Sequence, residues 1–260
     1  MKVAVITGAS SGMGKCFVKD LDKYFDVDAV YVIARRIDKL VELQKYTKAE
    51  VLPLALDLTN RESFNVYEQF LRDNNPEIKL LINCAGFGKF DEFINTPKET
   101  NMSMVDLNCN ALQMMTYLSI PYMKENSRII QLASLSSFQP VPYIALYGAS
   151  KAYVLSFSRA LNVELKKKKI HCMALCPYWV RTDFFNVANN NENKIINNFD
   201  VVYEPEYIVK KAYKAITKKK PKDVCIPGKF ARTQTRLVKI LPHKLVMKIW
   251  LKKQKIKLNK

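Results

Sequence analysis

Tyr147 and Lys151 are the two residues whose types and spacing point most directly to catalysis. They lie four positions apart in the run LYGASKAYV, so a helix here would place both side chains on one face. A tyrosine phenol ordinarily titrates near pH 10, and an adjacent ammonium group favours the phenolate. We therefore expect Lys151 to lower the pKa of Tyr147, and Tyr147 to exchange a proton with a carbonyl or alcohol oxygen. Such pairs also occur for structural reasons alone, so the interpretation depends on the surrounding residues.

A glycine-rich turn near the start of the chain is the second chemical feature. Three of the seven glycines lie in the stretch VAVITGASSGMGK. Between a strand and a helix, such a turn brings backbone N–H groups and the positive end of the helix dipole to a pyrophosphate. The turn predicts a dinucleotide site that includes Gly8, Ser10, Ser11, Gly12, Met13 and Gly14.

Two arginines after the second apolar run indicate which dinucleotide is bound. In VYVIARRID, Arg35 and Arg36 stand where an NAD site ordinarily has an acidic residue for the ribose 2′-hydroxyl group. The first acidic side chain after this run is Asp38. A guanidinium group can bind a phosphate through two hydrogen bonds and stack on adenine. We therefore expect NADP, used as NADPH, in preference to NAD.

Alternating apolar and amphipathic segments predict the elements that position these residues. The predicted strands are residues 2–6, 29–34, 51–55, 79–83, 128–133, 170–176 and 223–226. The predicted helices are residues 12–24, 39–46, 61–74, 101–124, 146–167 and 205–218. Continuous apolar strands alternating with helices are typical of a parallel sheet covered on both faces. We predict an α/β fold, a Rossmann-type doubly wound sheet of seven parallel strands in a single domain.

The order of several motifs resembles the short-chain dehydrogenase/reductase family over nearly all of residues 1–226. The glycine turn reads TGxxxGxG, and Tyr147 and Lys151 form the Tyr-x3-Lys pair. NCAG at residues 83–86 is similar to the family's NNAG turn, with Cys84 as the second residue. CPYWVRT resembles the PGxxxT segment, with Tyr178 in place of glycine, and also resembles the branch of 3-oxoacyl-CoA reductases and 17β-hydroxysteroid dehydrogenases.

The resemblance implies a role for each matching residue. Tyr147 would be the general acid/base, Lys151 would lower its pKa and bind the nicotinamide ribose, and Ser134 would polarise the substrate carbonyl. Asn108, in DLNCNA, would support a water-linked proton path to Lys151. The further cofactor contacts implied are Asp57, Leu58, Asn83, Ala85, Gly86, Tyr147, Lys151, Pro177, Val180 and Thr182.

Apolar and aromatic residues near these motifs predict a hydrophobic substrate. The expected substrate wall is Phe90, Val141, Tyr143, Tyr178, Phe184 and Phe185, with Phe87, Phe138 and Trp179 beside them. A wall of this kind favours a hydrophobic ketone, of lipid, steroid or 3-oxoacyl type, that is reduced to a secondary alcohol or formed from one. The alternative from another class is a catalytically silent NADP(H)-binding sensor or interaction module.

Two segments interrupt the alternation of strands and helices. Residues 186–198 read NVANNNENKIINN, which predicts a mobile loop within a lid at about residues 183–204. We assign residues 1–228 to the catalytic domain and residues 229–260 to a basic amphipathic extension. On a helix, Phe230, Leu237, Val238, Ile240 and Leu241 would share one face of that extension, with Arg232, Arg236 and Lys239 on the other.

The location of the positive charge bears on the partners of the protein. The formal net charge is +18, yet residues 1–223 carry only +7, and 11 basic residues and no acidic residue follow Asp223. This distribution indicates a basic appendage on an ordinary domain rather than a nucleic-acid-binding protein. The appendage either contacts an anionic membrane surface or docks on the domain or a partner subunit. The family resemblance implies a homodimer or homotetramer built on the helices at residues 101–124 and 146–167.

Composition excludes several other classes. No apolar run approaches 18 residues, and the short apolar start does not resemble a signal peptide. The six cysteines include no CxxC pair, which favours reduced thiols in the cytoplasm, with membrane contact limited to the periphery. Neither His171 nor His243 lies near a second ligand-like residue, so we expect no metal site and no Ser-His-Asp hydrolase.

Overall fold

Parallel strands form the centre of the molecule, for which a computed structural model describes residues 1–189 and 195–256. The strands of the main sheet are β1 (Lys2–Thr7), β2 (Ala29–Ala34), β3 (Glu50–Ala55), β4 (Glu77–Asn83), β5 (Met123–Leu132), β6 (His171–Leu175) and β9 (Val224–Cys225). They pair in the order β3-β2-β1-β4-β5-β6-β9, and every pairing is parallel. Two short strands, β7 (Trp179–Val180) and β8 (Val202–Tyr203), form a separate parallel pair. The predicted fold class is confirmed.

Helices cover both faces of the sheet. They are α1 (Gly12–Asp20), α2 (Ile37–Val41), α3 (Glu62–Asn74), α4 (Lys98–Val105), α5 (Leu112–Ser119), α6 (Ala145–Glu164), α7 (Phe184–Ala188), α8 (Pro205–Ile216), α9 (Lys229–Ile240) and α10 (His243–Lys253). Successive residues of β1 face opposite sides, so Ala4 and Ile6 pack with α1 and α8, whereas Val3 and Val5 pack with the side covered by α3, α5 and α6. Burial of the strands on both faces explains their continuous apolar sequences.

The predicted helix at residues 101–124 differs from the observed structure. A π-helical turn at Asp106–Ala111 separates α4 from α5, and α5 ends at Ser119. A short 3-10 turn, Ile120–Tyr122, contains Pro121, which has no N–H group to continue the helix. Strand β5 then begins at Met123, five residues earlier than predicted.

The order of the strands places a crevice at the carboxyl ends of β1 and β4. From β1 the chain builds the sheet toward β3, and from β4 it builds in the opposite direction, so these neighbouring strands mark the topological switch point. The loops after the two strands are joined, since Thr7 Oγ1 accepts hydrogen bonds of 3.1 Å from the backbone N–H groups of both Cys84 and Ala85.

The C-terminal helices pack against the domain. Trp250 Nε1 donates a hydrogen bond of 3.1 Å to the carbonyl oxygen of Pro142, and Gln254 Oε1 accepts from the backbone N–H groups of Asn197 and Asn198. The predicted apolar face of α9 is wrong in part. The packed face contains Ala231, Thr235 and Val238, whereas Phe230, Leu237 and Ile240 are exposed.

The described part of the predicted lid is packed rather than extended. Lys89 Nζ donates a hydrogen bond of 2.7 Å to the carbonyl oxygen of Val187. The N–H group of Phe90 donates a hydrogen bond of 3.1 Å to the carbonyl oxygen of Ala188. Ile196 is buried beside α10. The centre of the Asn-rich run, residues 190–194, lies outside the described residues, so its mobility stays a prediction.

Candidate active site

A cavity of about 960 Å³ opens at the carboxyl ends of the strands. One half is lined by the glycine turn and by the ends of β2, β3 and β4. The other half is lined by residues from α6, from the segment after β6 and from α7, α9 and α10. The cavity therefore lies at the switch point, where open α/β sheets place their ligands.

The glycine turn forms the floor of the first half. Gly8 and Gly12 have φ angles of +67° and +50°, a region that glycine adopts without strain. Gly14 is required for a different reason, because a Cβ atom there would collide with the carbonyl group of Gly8. Ser10, Ser11 and Met13 line the cavity beside the glycines. The turn thus leaves backbone close to the cavity at the start of α1, as a bound pyrophosphate requires.

The far end of this half carries the predicted arginines. Arg35 and Arg36 are exposed at the cavity, and Arg36 Nη2 donates 3.2 Å to Ser10 Oγ. Asp57 accepts hydrogen bonds of 3.0 and 2.8 Å from the N–H and Oγ1 of Thr59. Desolvation acts to raise the pKa of Asp57, but these hydrogen bonds outweigh it and the pKa is lowered. Leu58, Ala85, Gly86, Pro177, Val180 and Thr182 also line the cavity.

The predicted catalytic side chains meet on the other side of the cavity. Helix α6 carries Tyr147 and Lys151, and both line the cavity together with Ser134 at the end of β5. Ser134 caps the 3-10 turn Leu135–Phe138 by accepting a hydrogen bond of 3.3 Å from the N–H of Ser136. Lys151 Nζ donates 2.8 Å to the carbonyl oxygen of Leu132, which fixes the ammonium group beneath the cavity.

The pKa of Tyr147 departs from the prediction. Burial raises it to about 12, and a hydrogen bond with the side chain of Ser134 opposes the rise. Burial also lowers the pKa of Lys151 to about 8. Lys151 Nζ lies 5.8 Å from the centre of the Tyr147 ring and is bonded to a backbone carbonyl, so desolvation dominates at the phenol. The expectation of a lowered Tyr147 pKa is therefore wrong, because burial outweighs the other effects on the phenol.

Asn108 lies in the π-helical turn and is fully buried. Its Nδ2 donates 2.9 Å to the carbonyl oxygen of Phe87 and 3.0 Å to Ser150 Oγ, while its Oδ1 accepts 3.0 Å from the N–H of Phe87. These bonds hold the loop after β4 against α6. A Cβ atom at Gly86 would clash with Asn108 Oδ1 and crowd Lys151 Nζ, so the three residues are in close packing.

Comparison with known proteins identifies the family. A family model described as short chain dehydrogenase matches residues 2–193, which include every residue of the Ser134–Tyr147–Lys151 set. The chain belongs to the short-chain dehydrogenase family. It is accordingly an oxidoreductase of the class that interconverts ketones and alcohols.

Individual relatives of this dehydrogenase agree in class. The chain is 31% identical to very-long-chain 3-oxoacyl-CoA reductase of Bos taurus, over 82% of this chain and 68% of the relative. It is 31% identical to 17-beta-hydroxysteroid dehydrogenase type 3 of Rattus norvegicus, over 82% of this chain and 69% of the relative. A short-chain dehydrogenase from Sphingobium yanoikuyae, solved in complex with NADPH, has a TM-score of 0.76 at 24% identity and covers 93% of this chain and 97% of its own. This likeness confirms the fold.

The structure corrects the expectation for Asn83. This residue ends β4 and is 2% exposed, outside the lining of the cavity that the structure describes. Its Nδ2 donates 3.0 Å to Thr116 Oγ1 and 2.9 Å to Gln131 Oε1. Because side chains alternate along a strand, Asn83 points into the layer between the sheet and α5 rather than toward a cofactor.

Three expected wall residues also lie behind the cavity surface. Phe90 is fully buried and packs edge-on against Trp179 and Phe184, which do line the cavity. Tyr143 packs in the same buried cluster and Phe138 in a neighbouring one, and neither belongs to the described lining. These residues support the wall from behind. The expected residues that do line the cavity are Phe87, Val141, Tyr178, Trp179, Phe184 and Phe185.

We call the half of the cavity lined by α7, α9, α10 and the expected substrate wall the substrate half, and the half lined by the glycine turn the cofactor half. The substrate half contains residues that the sequence analysis missed. Gln139 follows the 3-10 turn, Gln234 lies on α9, and Trp250 on α10 is only 8% exposed. Trp179 lies 6.4 Å from Trp250 between ring centres. No local motif marks these positions, since α9 and α10 reach the cavity only through tertiary packing. The amphipathic pattern of the extension indicated an apolar face that includes Phe230, Leu237 and Ile240, which are exposed, and not the face that packs on the domain.

Proposed function

We propose that this dehydrogenase is an NADPH-dependent reductase that converts a ketone of a hydrophobic substrate into a secondary alcohol, and that catalyses the reverse reaction. The observation that carries the proposal is the convergence of Ser134, Tyr147 and Lys151 on a cavity whose other half is the glycine turn. The names of the relatives, 3-oxoacyl-CoA reductase and 17-beta-hydroxysteroid dehydrogenase, support a ketone substrate of 3-oxoacyl, steroid or other lipid type.

Each side chain of the site has a separate role in the reduction. A bound NADPH would supply the hydride, held by the glycine turn, Asp57, Leu58, Gly86 and Thr182. Ser134 Oγ donates a hydrogen bond to the substrate carbonyl, and Tyr147 delivers its proton to the oxygen as negative charge develops there. Lys151 would bind the nicotinamide ribose through its ammonium group. Asn108 positions the loop after β4 and would support a water-linked proton path to Lys151.

The preference for NADP rests on the end of β2. Arg35 and Arg36 are exposed at the cavity, and Arg36 is held toward the glycine turn by Ser10. No acidic side chain occurs in this loop before Asp38. A 2′-phosphate therefore meets two cations, whereas a free 2′-hydroxyl group finds no carboxylate to bind it.

We also propose that the C-terminal helices contact a membrane surface while the rest of the protein lies in the cytoplasm. The exposed apolar residues of α9 and α10 are Phe230, Leu237, Ile240, Leu245 and Ile249, and no acidic residue follows Asp223 to oppose the basic residues among them. An apolar strip beside lysines suits the surface of an anionic bilayer. Among the described residues, no helix could itself span a bilayer.

Flotation on vesicles tests this contact. The triple variant Leu237→Ser, Ile240→Ser, Ile249→Ser should lose binding to vesicles that contain anionic lipid, and Val66→Ser, an exposed valine on α3, should retain it. Equal flotation of both variants would contradict the membrane proposal.

Two further proposals concern organisation. Residues 1–228 and 229–260 act as one unit, because α9 and α10 contribute Gln234 and Trp250 to the cavity.

A homodimer or homotetramer uses α4, α5 and α6, where Met102, Tyr117 and Val163 are exposed by 65%, 72% and 70%. Replacing Tyr117 and Val163 with Glu should lower the oligomeric mass measured by light scattering.

A panel of ketones tests the proposed activity. Wild-type protein is incubated with NADPH and with 3-oxoacyl thioesters, ketosteroids, bile-acid ketones and small diketones, and NADPH oxidation is followed. We expect turnover of at least one hydrophobic ketone. Tight NADPH binding with no turnover across the panel would favour the alternative, a silent NADP(H)-binding module.

A further inference from the structure

Hydrogen bonds at the end of α10 join this helix to the segment before β8. Gln254 Oε1 accepts hydrogen bonds of 3.2 and 3.0 Å from the backbone N–H groups of Asn197 and Asn198, and its Nε2 donates 3.1 Å to the carbonyl oxygen of Asn198. Asn198 Nδ2 in turn donates a hydrogen bond of 3.0 Å to the carbonyl oxygen of Lys253. Gln254 is only 2% exposed, so its amide lies between the two segments. Removal of this amide would leave the backbone groups of Asn197 and Asn198 without these partners.

An ion pair beside Gln254 extends this contact to Tyr178. Lys253 Nζ lies 2.6 Å from Asp200 Oδ2, and Tyr178 Oη donates a hydrogen bond of 2.7 Å to Asp200 Oδ1. The side chains of Lys253 and Asp200 are only 27% and 28% exposed, so solvent screens this pair less than a fully exposed one. Desolvation acts to raise the pKa of Asp200, but the hydrogen bonds from Lys253 and Tyr178 outweigh it and the pKa is lowered. The three side chains therefore hold one another in place.

Both contacts lead to the wall of the substrate half. Tyr178 and Trp250 line the cavity, and Trp250 lies one helical turn before Lys253 and Gln254 on α10. Trp250 Nε1 also donates a hydrogen bond of 3.1 Å to the carbonyl oxygen of Pro142. Helix α10 is thus tied to two chain segments, one before α6 and one before β8. Trp250 is only 8% exposed in this arrangement, so the position of its ring depends on the docking of α10.

We propose that Asp200, Lys253 and Gln254, which we call the α10 clamp, are positioning residues that set the size of the substrate half. None of the three belongs to the described lining of the cavity. They act through Trp250 and Tyr178, which do line it, by fixing α10 against the segment before β8. The effect on substrate choice rests on the proposed reductase activity, whereas the effect on the position of Trp250 does not.

Tryptophan fluorescence tests the α10 clamp without any substrate. The chain contains two tryptophans, Trp179 and Trp250, whose ring centres lie 6.4 Å apart in the substrate wall. Gln254→Met keeps the length of the side chain and removes the amide, so quenching by acrylamide should rise about twofold as α10 loosens. Lys253→Met removes the ion pair and should raise the quenching in the same direction. Lys252→Met, which replaces an exposed lysine on the same helix, is the matched control and should be quenched like the wild-type protein.

Selectivity for ketone size tests whether the α10 clamp acts through Trp250. Two ketones that the protein reduces and that differ in size are compared, the 3-oxobutanoyl and 3-oxodecanoyl thioesters of N-acetylcysteamine being the first pair. Gln254→Met should shift the ratio of kcat/KM about threefold toward the larger ketone, since a loosened wall excludes it less. In a Trp250→Ala background, Gln254→Met should change this ratio by less than about 1.5-fold, because the side chain through which it acts is gone. NADPH affinity should stay within about twofold of the wild-type value.

Thermal unfolding identifies the folded variants, so that Lys253→Met decides if Gln254→Met does not fold. Raised quenching, together with a shift in size selectivity that Trp250→Ala absorbs, supports the proposal. Wild-type quenching or wild-type size selectivity in the folded variants overturns it, as does a shift that stays undiminished in the Trp250→Ala background. Failure of every ketone to react would instead contradict the proposed reductase activity, and the quenching of the two tryptophans would still decide whether the α10 clamp positions the wall.

Discussion

The cofactor half and the substrate half of the cavity are built from different kinds of sequence. The cofactor half uses short motifs that directly follow strands β1, β2 and β3, and its side chains are placed by their own turns. The substrate half draws on the turn after β5, on α7, and on α9 and α10, which lie about 100 residues further along the chain. Its shape therefore depends on helix packing as well as on local backbone geometry.

This difference separates the generic part of the reaction from the specific part. Glycine turns and strand ends would hold the proposed cofactor at the edge of the sheet, so their sequences permit little change. Packed helices tolerate substitution of the side chains that they present, and the choice of substrate can change there without disturbing the cofactor. The Ser134–Tyr147–Lys151 set lies between the halves, where both must meet.

Removal of the proton donor should have the largest effect. Tyr147→Phe should lower kcat for ketone reduction by about 10²- to 10⁴-fold, the usual contribution of a general acid, and leave NADPH affinity within about twofold. Tyr153→Phe, on the same helix and 40% exposed, should retain activity. Equal activity of Tyr147→Phe and Tyr153→Phe would show that Tyr147 is not the proton donor between the two halves.

A change of charge at the end of β2 tests the cofactor half alone. Arg35→Asp should lower the preference for NADPH over NADH by about 10- to 100-fold, because it replaces a charge-assisted bond to the 2′-phosphate with repulsion. The ratio of kcat/KM for the two cofactors measures this effect. Arg61→Asp, at an exposed position before α3, is the control. A ratio unchanged by Arg35→Asp would contradict the assignment of NADP.

The pH dependence of ketone reduction tests the role of Lys151, which lies between the two halves. The pKa of Lys151 is lowered to about 8 by burial, so its ammonium group is present below that pH and is lost above it. The kcat/KM for ketone reduction should fall about tenfold from pH 7 to pH 9, since one unit above a pKa leaves about a tenth of the charged form. Lys151→Arg, which stays charged, should lack this decline whatever its absolute rate. An identical decline in Lys151→Arg would assign the titration to another group.

Replacement of Trp250 should have the smallest effect. It tests whether the substrate half can change without a change in the cofactor half. Trp250→Ala should change the kcat/KM ratio between a compact and a bulky ketone about fivefold in favour of the bulky one, since one apolar contact is worth about 1–3 kcal/mol in specificity. The Kd for NADPH should stay within about twofold. Trp250→Phe is the conservative control. A comparable change in NADPH affinity would show that the substrate wall also shapes the cofactor half.

The difference between the cofactor half and the substrate half also explains which features could be predicted from the sequence. The strands and the glycine turn follow from apolar runs and turn residues that are local in the chain. The error at Asn83 arose because a motif names a residue but not the face of the strand that it occupies. The raised pKa of Tyr147 reflects burial, which spacing alone does not reveal. Gln234 and Trp250 were missed because their approach to the cavity depends on how α9 and α10 pack.

Transfer of a labelled hydrogen tests the central claim most directly. Wild-type protein is incubated with NADPH that carries deuterium at the transferable position, together with a ketone that it reduces, and the product alcohol is analysed by mass spectrometry. The account predicts deuterium on the carbinol carbon in wild-type protein and almost none with Tyr147→Phe at the same NADPH occupancy. Binding of NADPH with no deuterated alcohol from any ketone in the panel would contradict it.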